Sequence, residues 1–302
     1  MEGNAGHIPV LLQETIDGLK LEEGLTVVDC TLGRSGHAKA IGVKLGKTGR
    51  LVAIDADAKN VADATEILTS LKCKVILHNE NFRNTEKVLK QEGIGEGKVD
   101  RFLFDLGLNS LQLETSGRGF SFQVDEPLLM TLVSNPEAET LTARTILNEW
   151  SEESLEAVLR GFGGEQFSGR IARTICEDRR NHEINTTFDL VKIIEKAVPN
   201  FYKHQKIHCA TKTFQAIRIA VNDEFGALKE ALATAWKFLA SKGRIAIISF
   251  HEGEDRIVKN KFLDFKKDNG LIITKKVIAP SIQEEKANPR SRSAKLRVIE
   301  KK

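Results

Sequence analysis

TVVDCTLGRSGHAKAIG, residues Thr26–Gly42, reads as a β-branched strand ending in an acid, a glycine-bracketed turn and the opening of a helix. Strands buried on both faces are continuous apolar runs rather than polar–apolar alternations, because helices cover each side of a parallel sheet. The same unit repeats outward from this one. GRLVAIDAD is a second strand closing on Asp55, followed by a helix, AKNVADATEILTSL, with Val61, Ala64, Thr65 and Leu68 on one face. CKVILHNENF is a third strand, RNTEKVLKQEGIG a helix and VDRFLFDLGL a fourth strand. Strand alternating with helix predicts a parallel α/β sheet.

The rhythm stops after Asp105. SLQLETSGRGFSFQVDEPLL reads as loop, and helical segments without strands follow. Ser151 suits the N-cap of SEESLEAVLRGFGG, in which Leu155, Val158, Leu159 and Phe162 share a face. Thr186 and Asp189 form a capping-box pattern ahead of FDLVKIIEKAVPN. TKTFQAIRIAVN and EFGALKEALATAWKFLASKG then read as helices and GRIAIISF as a parallel-type strand. GLIITKKVIAPS and SAKLRVIEKK read as strands with no helix between them, hence an antiparallel pair at one edge. The fold class predicted is α/β, a parallel sheet finished by an antiparallel C-terminal hairpin, an ending that separates a Rossmann-like methyltransferase sheet from ordinary dinucleotide folds. It is assigned to residues 1–106 and 207–302, with an all-helical, substrate-recognising subdomain inserted over 107–206.

The 302 residues suffice for two domains, and a formal charge of +3 requires any nucleic-acid recognition to come from local basic patches. The four cysteines form no CxxC pair, which argues for a reducing compartment and against a structural zinc site. No apolar run approaches the ~18 residues of a membrane span, and the N-terminus lacks a signal-peptide pattern. A cytoplasmic location without membrane contact follows as the expectation.

GRSGH matches neither GxGxxG nor GxxxxGK[ST], so the pyrophosphate fingerprints fit poorly. Asp55 stands where an acid accepts ribose hydroxyls. Asp29, Ser35, Gly36, His37, Asp55, Phe82 and Asp105 all fall at or just past the carboxyl ends of strands, where α/β sheets bind ligands. An adenosine carrying an amino acid and a sulfonium but no phosphate would use this set: S-adenosyl-L-methionine. A generic nucleotide site is the alternative, and Phe82 alone reads more readily as core than as an adenine contact.

HIPVLLQE, VDCTLGRSGH, AIDAD, DLGLNSLQL, RGFSF, HCATKTFQAIRIAVN, ISFHEGEDRIVK and NPRSRSAKLR together resemble the bacterial RsmH (MraW) methyltransferase family. The resemblance runs in order from His7 to Arg297. It implies S-adenosyl-L-methionine-dependent N4-methylation of a cytosine in the decoding region of 16S rRNA. It also implies cofactor contacts at Ser35, Gly36, His37, Asp55, Phe82, Asp105 and Gln112, and 16S rRNA or the small ribosomal subunit as partner. Ser35 stands where the family usually has glycine. Pro127-Leu128-Leu129-Met130-Thr131-Leu132 replaces P-L-D-M-R-M, HCATKTF replaces HPATRTF, and SFHEGEDR replaces SFHSLEDR. Lys212 keeps a charge but loses bidentate geometry. These departures allow a second reading, a cofactor- and rRNA-binding relative with impaired catalysis. A dinucleotide oxidoreductase, resting only on the α/β rhythm, is opposed by the missing GxGxxG.

An exocyclic cytosine amine is a weak nucleophile because its lone pair is delocalised. Its methylation needs in-line positioning and an acceptor for one N–H. Asp105 and Asn109 are the candidate acceptors. Phe120 and Phe122 would either stack on a flipped base or anchor the insertion to the sheet. Thr211, Gln215, Arg218 and Asn222 form one polar stripe of a helix, with Lys212 beside it. His251 is expected to position substrate, whereas the acids after it need only start a helix. Arg290 and Arg292, with Lys295 and Arg297, form a phosphate-binding cluster or a charge-protected edge. Lys203, Lys206 and His208 extend the expected basic surface. No metal is expected. The oligomeric state, a homodimer included, is not legible.

Overall fold

The computed structural model describes residues 8–134, 136–137 and 139–302; His7, where the family resemblance begins, lies outside them. The chain divides into two compact units, one comprising the residues up to Gly107 with Phe225–Lys302, the other Leu108–Glu224.

The first unit is built on seven strands: β1 Thr26–Asp29, β2 Arg50–Asp55, β3 Lys74–Asn79, β4 Val99–Asp105, β5 Leu239–Ser249, β6 Gly270–Ile272 and β7 Lys295–Lys301. Their order is β3-β2-β1-β4-β5-β7-β6. The first five run parallel, and β7 is antiparallel to both β5 and β6. Val27, Val28, Leu51, Phe102, Leu103 and Ile247 are wholly buried, as continuous apolar runs in a helix-covered sheet should be. The strand order reverses between β1 and β4, so the loops leaving their carboxyl ends diverge and leave room for a ligand.

Two sequence expectations give way here. Leu239, Ala240 and Ser241, read as helix, open β5 instead: the preceding helix ends at Phe238 and Leu239 pairs with Val99. The edge strands β6 and β7 pair antiparallel as expected, but a helix, Ile282–Ala287, and a 3-10 turn, Pro289–Ser293, separate them. Ser281 Oγ accepts the Glu284 N–H at 3.1 Å and caps that helix, a local bond that the basic composition of the segment conceals.

The second unit contains the helices Ser110–Thr115, Ala143–Glu149, Glu152–Gly163, Ser168–Asp178, Thr187–Ala197, Asn200–Lys203 and Thr211–Asn222. It has its own core, with Leu128, Met130, Ile146, Leu155, Leu159, Ile171 and Leu190 fully buried. Ser151 caps its helix, and Thr186 with Asp189 forms the expected capping box. Residues 110–115 are helical rather than loop, because Asn109 and Gln112 cap each other. The helix Thr211–Asn222, assigned from sequence to the sheet domain, packs in this unit along Glu152–Gly163. Gly163 permits the close approach: a Cβ there would lie 2.4 Å from the Lys212 carbonyl oxygen.

Candidate active site

In the sheet unit, the ends of β1, β2 and β4 gather three acids, two of which, Asp29 and Asp105, act on one imidazole. Asp29 closes β1 and is fully buried. Its Oδ1 accepts the Thr31 N–H at 3.1 Å, and its Oδ2 has no hydrogen-bond partner among the described residues. Burial pushes Asp29 up to about 7; the Thr31 N–H and His37 oppose the rise, and Asp105 and Asp55 add to it. Thr31 Oγ1 accepts the Asp105 N–H at 2.6 Å, tying the β1 turn to the end of β4.

The turn itself is held by Asp55. Its Oδ2 accepts the Gly33 N–H at 2.7 Å and its Oδ1 the Asp57 N–H at 2.8 Å. Burial raises the Asp55 pKa even though those two N–H groups oppose it. Each carboxylate oxygen has a second lone pair, so the clamp leaves acceptor capacity for ribose hydroxyls. Ser35 adopts φ +64°, the left-handed region that glycine enters without strain, and its buried Oγ has no partner among the described residues. The backbone thus accounts for a glycine being usual there in the family that the sequence resembles. Gly36 is required by packing: a Cβ there would lie 2.3 Å from Pro9 Cγ.

His37 is buried between two acceptors. Its Nε2 lies 3.1 Å from the Val10 carbonyl oxygen and its Nδ1 3.3 Å from Asp105 Oδ2. Facing a carbonyl, Nε2 carries the proton; a second proton on Nδ1 makes an imidazolium matched to the carboxylate. Burial alone would lower the His37 pKa, but the Asp105 hydrogen bond and charge, with Asp29 and the Val10 carbonyl, outweigh it and raise it. Asp105 Oδ1 has no partner among the described residues. Phe82 is half-buried, its ring edge-on to Phe104 at 6.2 Å, so it serves the core and still keeps an open side.

In the helical unit, Asn109 Oδ1 accepts the Gln112 N–H and Gln112 Oε1 accepts the Asn109 N–H, both at 3.0 Å. Each amide oxygen is therefore engaged in the helix cap. Phe120 is buried in this unit's own core with the Arg118 guanidinium 5.3 Å from its ring. Phe122 stacks on His208 at 4.7 Å and meets Phe214 edge-on at 5.1 Å. Both phenylalanines act as anchors within the helical core.

The predicted polar stripe divides. Arg218 makes a bidentate pair with Glu224 at 2.7 and 2.9 Å. Asn222 accepts the Leu132 N–H at 2.8 Å and donates to the Met130 carbonyl at 2.7 Å. Thr211 and Gln215 stay partly exposed, and Lys212 Nζ reaches the Gly164 carbonyl at 3.3 Å. Asn222 thus braces the segment that departs from the family pattern. Arg118 braces it too, donating to the Thr131 and Leu132 carbonyls at 3.2 and 2.9 Å. Thr131 is buried, and its Oγ1 accepts the Val133 N–H. Sequence reasoning missed Arg118, whose partners lie in an irregular segment without periodicity, and Glu224, which meets Arg218 only where the chain turns after the helix Thr211–Asn222.

Back in the sheet unit, His251 is the N-cap of the helix Glu252–Lys267, its Nδ1 accepting the Glu254 N–H at 3.4 Å while Glu254 Oε2 accepts the Phe250 N–H at 2.8 Å. The histidine shares the helix-starting role that the sequence gave to the acids alone. Of the predicted basic cluster, Arg297 is bidentate to Asp255 at 2.7 and 3.1 Å, and Lys295 pairs with Glu252 at 2.9 Å. Burial alone would raise the Asp255 pKa, but Arg297 holds it below the usual range. Arg290 and Arg292 remain exposed on the 3-10 turn.

No metal set was expected from the sequence, yet Glu195, His208 and Cys209 bring their ligand atoms within 4.8 Å of one another. His208 Nδ1 there already accepts the Ala210 N–H at 3.2 Å. Among the described residues, no helix is long and apolar enough to cross a membrane.

The MraW methylase family matches residues 4–302 of the chain. The ribosomal RNA small subunit methyltransferase H of Brevibacillus brevis is 42% identical over 98% of this chain and 98% of its own length. Its counterpart in Clostridium botulinum (strain Kyoto) is 43% identical with the same two shares.

Proposed function

The chain belongs to the MraW methylase family, and on that premise we propose that it transfers the methyl group of S-adenosyl-L-methionine to N4 of a cytosine in the decoding region of 16S rRNA. When bound, that cofactor supplies an electrophilic methyl on a sulfonium. One observation carries the assignment of the ligand: burial, with the nearby Asp105 and Asp55 carboxylates adding to it, pushes Asp29 up to about 7 against the opposing Thr31 N–H and His37. A ligand bearing ammonium and sulfonium charges and no phosphate relieves that crowding of carboxylates, whereas a pyrophosphate aggravates it.

The Gly33–His37 turn and Asp55 would hold the adenosine, Asp55 through the ribose hydroxyls and Phe82 through its open side. Asp29 and Asp105 would face the positive end. Asp105 Oδ1 accepts an N–H of the target amine, which draws the nitrogen lone pair out of conjugation and aims it at the methyl. Asp105 is preferred to Asn109 because the Asn109 side-chain oxygen already caps a helix. Arg290 and Arg292 contact phosphates, which position the RNA without reading its sequence. The helical unit recognises the small subunit, and the protein works in the cytoplasm.

The burial of Thr131 and the apolar Leu129 favour one rival reading, a relative that binds cofactor and subunit but turns over slowly. Labelled methyl transfer to 16S rRNA and to assembled subunits tests the proposal. Undetectable transfer by folded protein to either RNA form contradicts it. A large gain in rate on joint L129D and T131R substitution supports the impaired reading, and a native rate that is already high dismisses it.

A further inference from the structure

We propose that Glu284 is a positioning residue for the cofactor site, acting through the Val10–Leu11 peptide on His37 and Asp105. The inference rests on the function proposed above, because it takes the Asp105 side of the sheet as the cofactor floor. One peptide group carries it. The Leu11 N–H donates to Glu284 Oε1 at 2.7 Å, and the carbonyl of the same peptide, Val10 C=O, lies 3.1 Å from His37 Nε2. His37 Nδ1 in turn faces Asp105 Oδ2 at 3.3 Å. A carboxylate, a peptide, an imidazole and a second carboxylate therefore form one chain of hydrogen bonds. Each bond in such a chain polarises the next.

The surrounding segment is built to hold that peptide still. Leu11 is fully buried and sits at φ +52°, a conformation that a leucine keeps only when its neighbours enforce it. Pro9 lies directly on Gly36, leaving no room for a Cβ, and Asn288 Nδ2 donates to the Ile8 carbonyl at 3.1 Å. The strap Ile8–Leu11 is thus fixed on one side by the cofactor turn and on the other by the loop after β6. That loop is braced internally: the Glu284 carbonyl accepts the Asn288 N–H at 2.7 Å, and the Asn288 carbonyl accepts the Ser291 N–H at 2.9 Å and Oγ–H at 2.8 Å. Arg290 and Arg292 flank Ser291.

Removing the Glu284 carboxylate leaves the Leu11 N–H without its acceptor, and the Val10 carbonyl is then free to turn. His37 loses the acceptor that fixes its proton on Nε2, and Asp105 loses its oriented partner. Glu284 itself touches no reacting atom.

The test compares wild type, E284A and E284Q by calorimetric titration with S-adenosylhomocysteine and by long-range 1H–15N spectra of the His37 ring, assigned with H37Q. E284A should weaken binding fivefold or more and move both His37 nitrogen resonances. E284Q should stay within twofold, because its amide oxygen still accepts the Leu11 N–H. A scaffold role confined to stability would lower the melting temperature and leave the His37 nitrogens unmoved. Unmoved nitrogens with binding within twofold in E284A would overturn the inference, as would an E284Q as weak as E284A. If E284A does not fold, N288A makes the same comparison through the Ile8 carbonyl. Wild type that ignores the ligand would defeat the functional reading, while the His37 spectra would still decide the role of Glu284.

Discussion

Asp55 Oδ2 accepts the backbone N–H of Gly33 at 2.7 Å, so the acid that closes β2 also shapes the turn that leaves β1. Replacing it removes the clamp on the turn and, on the function proposed above, a ribose acceptor. D55A should weaken S-adenosyl-L-methionine binding at least tenfold, in line with the ~1.5–3 kcal/mol of a hydrogen bond to a charged group. D55N, which keeps one acceptor oxygen, should lose less. Calorimetry on the three proteins checks the order, and equal affinities would contradict it.

Asp29 gives a pH signature. Its folded-state pKa, about 7, exceeds the unfolded value of 3.8, so between those values the folded protein binds the extra proton. Its unfavourable contribution is therefore present above pH 7 and fades as the pH falls toward 4, on the order of 4 kcal/mol in all. D29N lacks that dependence. His37, whose pKa is also raised, contributes stability that is lost as the pH rises; D29N keeps the larger Asp105 share of that contribution and loses the smaller Asp29 share. Urea unfolding at pH 5 and pH 8 should show a larger stability advantage for D29N at pH 8. An advantage that is constant, or larger at pH 5, would refute the burial argument.

Ser35 combines a left-handed backbone with a buried, unpartnered hydroxyl. Glycine removes both costs, and although its greater unfolded-state entropy offsets part of the gain, S35G should be about 1 kcal/mol more stable. Denaturant midpoints at unchanged slope measure this. A less stable S35G would mean that the hydroxyl has a partner in solution.

Gly163 lies against the Lys212 backbone, a neighbour that cannot move aside as a side-chain tip could. G163A should destabilise the helical unit by about 2 kcal/mol through overpacking. Hydrogen exchange along Glu152–Gly163 and Thr211–Asn222 should accelerate together, and unchanged exchange in the second helix would count against the close crossing.

The parallel sheet was legible because its strands are continuous apolar runs such as LVAID and RFLFD, and burial on both faces demands that composition. The acids at strand ends were legible for the same reason, since a carboxylate after such a run has one place to go. Less visible was anything fixed by contacts distant in sequence. Arg297 reads as a phosphate ligand until the antiparallel register of β7 beside β5 brings it to Asp255. Arg218 and Asn222 read as a presented stripe until Glu224 and the Met130–Leu132 backbone engage them. The short helix after Asn109 escaped notice because six residues carry too little periodicity, and its capping pair outweighed the loop-like composition. The strap at Val10 was hidden too, since nothing in IPVLL reveals that its peptide meets Glu284.

Nucleoside mass spectrometry reports directly on the one atom of the one base to which the methyl group is transferred. Small ribosomal subunits and free 16S rRNA lacking the modification are incubated with this protein and S-adenosyl-L-methionine, then digested and analysed. One new N4-methylcytidine should appear, located in the decoding region, and D105A should abolish it. Cytidines left unmethylated in both RNA forms by protein that demonstrably binds the cofactor would contradict the proposed transfer.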